Sequence, residues 1–411
     1  MQVVHPRCCG LDVHKKTVVA CLMVQGADGS VTKETNTFGT MTQNLLALSD
    51  WLLAAGCTHV AMESTGSYWK PVWNILEGKF ELVLVNAQHI KAVPGRKTDV
   101  KDCEWIAELL RHGLLRGSFV PDREQRELRE VTRYRTSLIQ ERSAEVNRVQ
   151  KTLEGGNIKL ASVATDLMGR SGREILGALV AGTMDAQAMA DLARGKLRQK
   201  LPQLMEALGG QMGDHQRFML TQQLGHIDDL DETIALLDAE IEERMRPFAK
   251  LIERLDAIPG VGRRIAQVII AEIGTDLSRF PTGAHVASWS GMCPGNNESA
   301  GKRHSGKTRK GNSALRVALI QAAKAAGHTR NSYLSAQYHR LAARRGANKA
   351  AVAVGHTILL IVHNLITNED SFYKDLGVHY FDERDRERVQ RRLVHRLEAL
   401  GYTVSLEQVA A

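Results

Sequence analysis

The sequence predicts an α/β domain joined to a mainly helical remainder, an α/β plus α fold, and three observations carry that reading. Between residues 7 and 86, short β-branched and apolar runs alternate with amphipathic helical stretches. Two later segments, over 124–153 and 219–248, repeat apolar residues every three or four positions, as long helices do. A chain of 411 residues is too long for one ordinary core, so two or three domains are expected. We place them at 1–121, 122–250 and 251–345, with a helical tail over 346–411.

The composition, 43% hydrophobic and 24% charged, is that of a folded chain and excludes the disordered class. Lys and Arg number 54 against 46 Asp and Glu, and the resulting +8 suits a polyanionic partner. Aromatics are only 5%, which argues against a surface built on base stacking. The six cysteines show no C-x-x-C spacing and read as reduced, packed thiols of a cytosolic protein. Residues 1–6 lack the charged and apolar regions of a signal peptide. The apolar stretch over 352–365 is interrupted by Gly355, His356, His363 and Asn364, so it reads as a buried helix and no membrane span is expected.

In chain order, 7–24 reads as two strands joined at His14-Lys15-Lys16, with Asp12 an acid in a run where Asp is disfavoured. A third strand over 31–38 follows the Asp28-Gly29 turn. Residues 42–55 form a helix with Leu45, Leu46, Leu48, Leu52 and Leu53 on its buried side and Gly56 as its stop. A strand over 59–63 ends in Glu63, 68–77 is a helix, 82–86 a buried strand, and 99–116 a closing helix with Thr98 as N-cap. A hairpin followed by strand–helix alternation gives a mixed sheet with flanking helices.

Asp99 and Asp102 lie three residues apart at the start of that closing helix, on one face and beside its positive end. Two readings are open: a solvated acidic first turn, or two anions held together by a divalent cation. Asp12 and Glu63 fall at element ends, where an open sheet places its site. Four carboxylates from three segments suit a two-metal Mg²⁺ site, with ions about 4 Å apart, for phosphodiester chemistry.

At these positions the sequence resembles a known family. Gly10-Leu11-Asp12-Val13-His14-Lys15, Met62-Glu63-Ser64-Thr65-Gly66-Ser67-Tyr68 and Lys97-Thr98-Asp99-Val100-Lys101-Asp102 match three motifs of the DEDD-type insertion-sequence transposases, the IS110 family. The N-terminal domain of that family is similar to RuvC-type Holliday-junction resolvases. The resemblance therefore implies a ribonuclease-H-like (RuvC-like) domain with Asp12, Glu63, Asp99 and Asp102 as a metal-binding tetrad. Cys103 stands where many members carry Ala.

In the middle, Leu128, Val131, Leu138, Val146, Val149 and Leu153 form one apolar stripe. Leu220, Leu224, Ile227, Leu230, Ile234, Leu237, Ile241 and Phe248 form a second with coiled-coil spacing. A spacer bundle and an assembly arm are both open. Members of the family work as oligomers, so the resemblance favours an arm and a homo-oligomer, dimer or tetramer. Whether the stripes pair within or between chains is open.

Further on, Ile258-Pro259-Gly260-Val261-Gly262 followed by Arg263 and Arg264 has the form of a helix-hairpin-helix turn, which either approaches a phosphate or is a tight turn with no ligand. Helices are expected over 265–273, 280–289 and 313–327. Residues 293–312 read as a Gly-rich loop whose five cations, Lys302, Arg303, Lys307, Arg309 and Lys310, suit a phosphate backbone or simply solvent. Ser290-Gly291-Met292-Cys293-Pro294, Glu298-Ser299, Gly301-Lys302-Arg303 and Lys310-Gly311-Asn312 with Leu315-Arg316 resemble the C-terminal transposase domain of the same family. That resemblance places the nucleophile on Ser299, with Ser305 and then Ser290 as competitors. Family members usually have Gly after that serine, where this chain has Ala300. A helix over 349–366 and a charged one beyond Phe381 complete the chain.

The resemblance, over roughly 7–120 and 255–330, implies a transposase that cuts and rejoins DNA at element ends and target. A structured bridge RNA would guide it in the prokaryotic cytosol. Two alternatives compete. One is a Mg²⁺-dependent, structure-specific nuclease that uses water. The other is a nucleic-acid-binding scaffold without catalysis.

Overall fold

The computed structural model describes residues 2–64, 66–86, 102–295 and 297–407, with side chains for all of these but 297–299 and 303–305. Two compact units form, Met1–Pro121 and Asp122–Ala411. Thr98 and Asp99 lie outside the described residues, so the expected N-cap and one of the four acids are not placed.

In the first unit β1 (Arg7–Val13), β2 (Thr17–Gln25), β3 (Val31–Gly39), β4 (His59–Glu63) and β5 (Glu81–Val85) form a sheet in the order β3-β2-β1-β4-β5. The first three strands are antiparallel neighbours, whereas β4 and β5 run parallel to β1, the mixed sheet that the strand–helix alternation predicts. Side-chain alternation assigns the faces. Cys9, Leu11, Val13, Val60, Met62 and Leu84 pack with residues of α1 (Thr42–Ala54) and α2 (Trp69–Leu76). Cys8, Cys21, Met23, Ala61 and Val85 pack on the opposite side with α3 (Asp102–Arg111). Leu46 and Leu53, expected inside, are 38% and 47% exposed, because a helix lying on a sheet buries a single stripe and leaves its flanks in water.

The placement of α3 depends on Gly10. A Cβ there would stand 2.3 Å from the Cys103 carbonyl O and 2.4 Å from the Ala107 amide N, so the helix lies directly on the β1 backbone. The direction of α3 follows from its contacts. Val4 and His5 donate their amides to the Arg111 carbonyl O, the Cys8 thiol meets the Ala107 carbonyl O, and Gly10 meets Cys103. The helix therefore runs antiparallel to β1, and its first residue, Asp102, lies over the end of the strand that carries Asp12.

In the second unit α4 (Arg123–Gly155) and α5 (Asp214–Met245) are the two long helices. Arg142 pairs with Asp231, Arg135 with Asp238 and Arg244 with Glu127, so the helices are antiparallel and their apolar stripes meet within one chain. Leu138, Leu230 and Ile234 form the central contact, and short helices between 160 and 207 pack around Val149, Leu153, Leu220 and Ile227 at one end. The remainder contains α6 (Arg263–Ile273), α7 (Gly283–Trp289), α8 (Ser313–His328), α9 (Tyr333–Arg345), α10 (Ala347–Thr367) and α11 (Arg386–Glu398). Among the described residues α10 alone is long and apolar enough to cross a membrane, and half of that stretch is buried. Ala351, Val354, Ile358, Leu359 and Val362 are its buried side, and α7, α8 and α9 are its neighbours. None of α11 is buried.

Two expectations follow from this packing. Gly10→Ala forces α3 off the sheet and should lower the stability of the first unit by about 1–3 kcal/mol, read as a shift in its urea midpoint. Five of the six free cysteines are buried, and burial raises the thiols of Cys8 and Cys57 to about 12 and Cys103 to about 11. At pH 8 the folded protein should therefore react with iodoacetamide at half-buried Cys293 first, by peptide mapping.

Candidate active site

The pairing of β1 with β4 sets Leu11 against Met62, so the next residues along these parallel strands, Asp12 and Glu63, sit side by side at their C-terminal ends. Leu11 and Met62 belong to the cluster facing α1 and α2. Alternation therefore turns Asp12 and Glu63 to the α3 side, one step beyond Gly10 and Ala61. The first turn of α3 brings Asp102 to the same edge. Gly10 lies against Cys103, and Asp102 precedes Cys103 on a helix that runs antiparallel to β1. Asp12, Glu63 and Asp102 thus share one face and one end of the sheet, next to the positive end of a helix.

Each of the three carboxylates is accounted for. Asp12 Oδ2 lies 3.1 Å from His14 Nε2, and its side chain is 25% exposed. Glu63 is half-buried, and Glu63 and Asp102 both have partners in the structure. Among the described residues no three His, Cys, Asp or Glu side chains form a ready metal cluster, and Asp99 lies outside that set. The chemistry of the donors, carboxylate oxygens with the neighbouring thiol buried, is nevertheless that of a hard divalent cation. His14 belongs to the Gly10–Lys15 motif, and sequence alone assigns it no role. Its i, i+2 spacing from Asp12 was the available signal.

Residues 293–312, expected as a loop, form a two-stranded hairpin. β6 (Asn297–Ser299) and β7 (Lys302–Ser305) are antiparallel, with Ser299 opposite Lys302 and a bulge at Asn297/Glu298. The pairing continues outward through the Pro294–Thr308 bridge and the Gly295 amide, which donates to the Lys307 carbonyl O at 3.1 Å. At the stem a Cβ on Gly311 would fall 2.3 Å from the Gly291 amide N. The glycines of this stretch therefore let two backbone legs touch, a reason that glycine content alone does not distinguish from phosphate binding. Ala300 (φ 50°) and Gly301 (φ 72°) form the two-residue tip with positive φ at both positions, as a type I′ turn requires. Ala300, where the resemblance leads one to expect Gly, thus occupies a left-handed position.

Of the expected cationic contacts, Lys302, Lys307, Arg309 and Lys310 are exposed along the hairpin, while Arg303 has only its backbone described. Arg263 pairs with Glu242, and Arg264 Nη2 donates to Asp238 Oδ2 at 2.7 Å. Gly260 (φ 85°) would place a Cβ 2.1 Å from the Ala322 carbonyl O, so its role is to let α8 pack closely. Ser290 is fully buried and donates Oγ to the Ala287 carbonyl O at 3.1 Å, which removes it as a competing nucleophile.

Two family models match the chain. One, of the DEDD IS110 type and described as Transposase, covers residues 9–158; the other, described as Transposase IS116/IS110/IS902 family, covers residues 252–339. A probable family 20 transposase of Pseudomonas aeruginosa is 28% identical over 320 residues, spanning 76% of this chain and 85% of the relative. The transposase for insertion sequence element IS1111A of Coxiella burnetii is 24% identical over 332 residues, spanning 78% of this chain and 80% of the relative.

Holding Ala in the left-handed region costs on the order of 1 kcal/mol, part of which Gly returns as unfolded-state entropy. Ala300→Gly should therefore slow hydrogen exchange of the β6 and β7 amides about two- to fivefold, and Gly301→Ala should speed it. Equal rates in all three proteins would mean that the tip is not such a turn.

Proposed function

We infer the chemistry from one premise: the chain belongs to the IS110 family and is a DNA transposase. We propose that it cuts and rejoins DNA with the Ser299 hydroxyl as nucleophile. The carboxylates of Asp12, Glu63, Asp99 and Asp102 would hold two Mg²⁺ ions. The observation that carries the reading is the convergence of Asp12, Glu63 and Asp102 on one face and one end of the first sheet. The order β3-β2-β1-β4-β5 supports assigning that unit to the ribonuclease-H-like, RuvC-like class.

In this mechanism the Ser299 oxygen attacks a backbone phosphorus and the bond to the leaving oxygen breaks. One strand stays on the serine as a phosphodiester until a hydroxyl of the joining strand displaces it. A lone serine hydroxyl is a weak nucleophile and needs activation. Divalent metal, when bound, stabilises charge on the phosphate and eases loss of the hydroxyl proton. Lys302, Arg303, Lys307, Arg309 and Lys310 would line the phosphate backbone near the serine, while Arg263 and Arg264 would first have to leave Glu242 and Asp238. Selection of donor and target by a structured bridge RNA belongs to the same proposal, and the net charge of +8 supports nucleic acid of either kind. So does assembly into dimers or tetramers along the long helices, which keep Tyr134, Phe218 and Leu236 exposed.

Purified protein incubated with Mg²⁺, element-end DNA and the candidate RNA should form a covalent protein–DNA adduct that Ser299→Ala abolishes. Chelation by EDTA, or Asp102→Asn, should slow its formation about 1000-fold or more. Metal-dependent cutting with no adduct, unchanged in Ser299→Ala, would replace the serine mechanism with a water-using nuclease. Binding without metal-dependent cutting would leave only a scaffold.

A further inference from the structure

Glu272 interrupts the apolar run of α6 between Ala271 and Ile273, and it is fully buried. An ionised carboxylate in that setting has to be paired on both oxygens. Arg133 of α4 supplies a bidentate fork, donating Nε to Oε1 at 2.6 Å and Nη2 to Oε2 at 2.8 Å. Asn312 donates Nδ2 to Oε2 at 2.6 Å. Arg129, one turn earlier on α4, stands 3.6 Å from Oε2 and donates to the carbonyl oxygens of Ala271 and Glu272. Its guanidinium also lies 5.7 Å from the centre of the Trp289 ring.

Asn312 is the point where the hairpin ends and α8 begins. Its Oδ1 caps α8 by accepting from the Leu315 amide at 3.0 Å, and its own amide donates to the Trp289 carbonyl O at 3.3 Å. The opposite leg is held beside it, because Gly291 and Gly311 touch and Arg316 Nη1 donates to the Gly291 carbonyl O at 3.1 Å. One carboxylate thus joins the long helix α4 to the stem of the hairpin that carries Ser299. Capping α8 does not call for this arrangement, since a serine at the same position would supply the capping oxygen without reaching Glu272.

We propose that Glu272 is a positioning residue that clamps the β6–β7 hairpin to α4 through Arg133 on one side and Asn312 on the other, and so holds Ser299 in place for the reaction. The catalytic consequence rests on the serine reading above, whereas the clamp itself does not. A two-stranded ladder carries a displacement at its stem to its tip, and reacting groups tolerate little misplacement.

The test uses the full chain, with Mg²⁺, element-end DNA and the candidate RNA for the reaction. Asn312→Ser keeps the helix cap and deletes the arm to Glu272. Glu272→Gln turns an amide NH₂ toward donors and removes the charge facing two arginines. If that variant fails to fold, Asn312→Ser carries the test alone. In Asn312→Ser we expect hydrogen exchange of amides 297–305 to quicken about tenfold, with exchange in α4 and α5 unchanged. DNA affinity should stay the same while the rate of adduct formation falls roughly 10- to 100-fold. Unchanged hairpin exchange overturns the clamp whatever the reaction does. Faster exchange with an unchanged reaction rate overturns the positioning role. If the wild-type protein forms no Ser299-dependent adduct, the serine reading fails separately. The positioning role falls with it, and hairpin exchange in Asn312→Ser alone then decides the clamp.

Discussion

Everything the first unit offers chemically depends on how closely α3 lies on β1. A side chain at residue 10 would hold the helix off by the width of a methyl group, and the absence of one lets backbone rest on backbone at Cys103 and Ala107. Because the helix then runs back along β1, its acidic first residue arrives over the same strand end that Asp12 and Glu63 occupy. Three anions would repel one another there, and the positive end of a helix offsets only part of that cost. His14 pairs with Asp12 at that edge, and Glu63 and Asp102 also have partners there.

The second unit solves the opposite electrostatic problem. Its exposed hairpin collects cations, and its interior has to anchor that hairpin without relying on the hydrophobic contacts that a two-stranded ribbon lacks. The anchor is ionic and buried. Arg135, 2% exposed, ties α4 to Asp238 of α5 and Gln267 of α6, and Arg133 and Arg129 tie the same helix to Glu272. Burial lowers Arg129 to about 10, which leaves it charged at neutral pH, while its hydrogen bonds to Glu272 raise Arg133. Breaking such a pair costs several kcal/mol, whereas replacing it by apolar residues often costs nothing. Geometric definition is therefore the better account of its presence than stability.

Much of this was legible in the sequence, and the rest was hidden for physical reasons. Alternation revealed the strands, and Asp12 stood out as an acid in a β-prone run, because both signals are local. Leu46 and Leu53 were misplaced because periodicity shows that a helix has an apolar side but not how wide a strip of it the sheet covers. The stripes of the two long helices were visible, yet their pairing within one chain depends on the ion pairs Arg142–Asp231 and Arg135–Asp238, which link residues far apart in sequence. Sequence leaves Gly260 open between phosphate approach and a tight turn, and the structure uses Gly260, Gly291 and Gly311 for contacts between backbones. The acidic partners of Arg263 and Arg264 lie 21 and 26 residues upstream on another helix, out of reach of a local reading. Glu272 left one faint trace, a carboxylate in an apolar run, and its three partners come from two other segments.

The hairpin brings the local and long-range constraints together. Its two-residue tip sets the register, so Ser299 faces Lys302 across the ladder, and a slip of one residue would exchange the serine for a neighbour at that level. A bulge at Asn297/Glu298 bends one leg just before the tip. Register alone does not fix where the tip stands in space, because an isolated ribbon of this length twists and bends freely. Two restraints are therefore needed, one at the turn to choose the residue and one at the stem to choose its place. Ala300 and Gly301 supply the first through their left-handed backbone. The second falls at Asn312, where a helix cap, a backbone crossing and a buried carboxylate coincide.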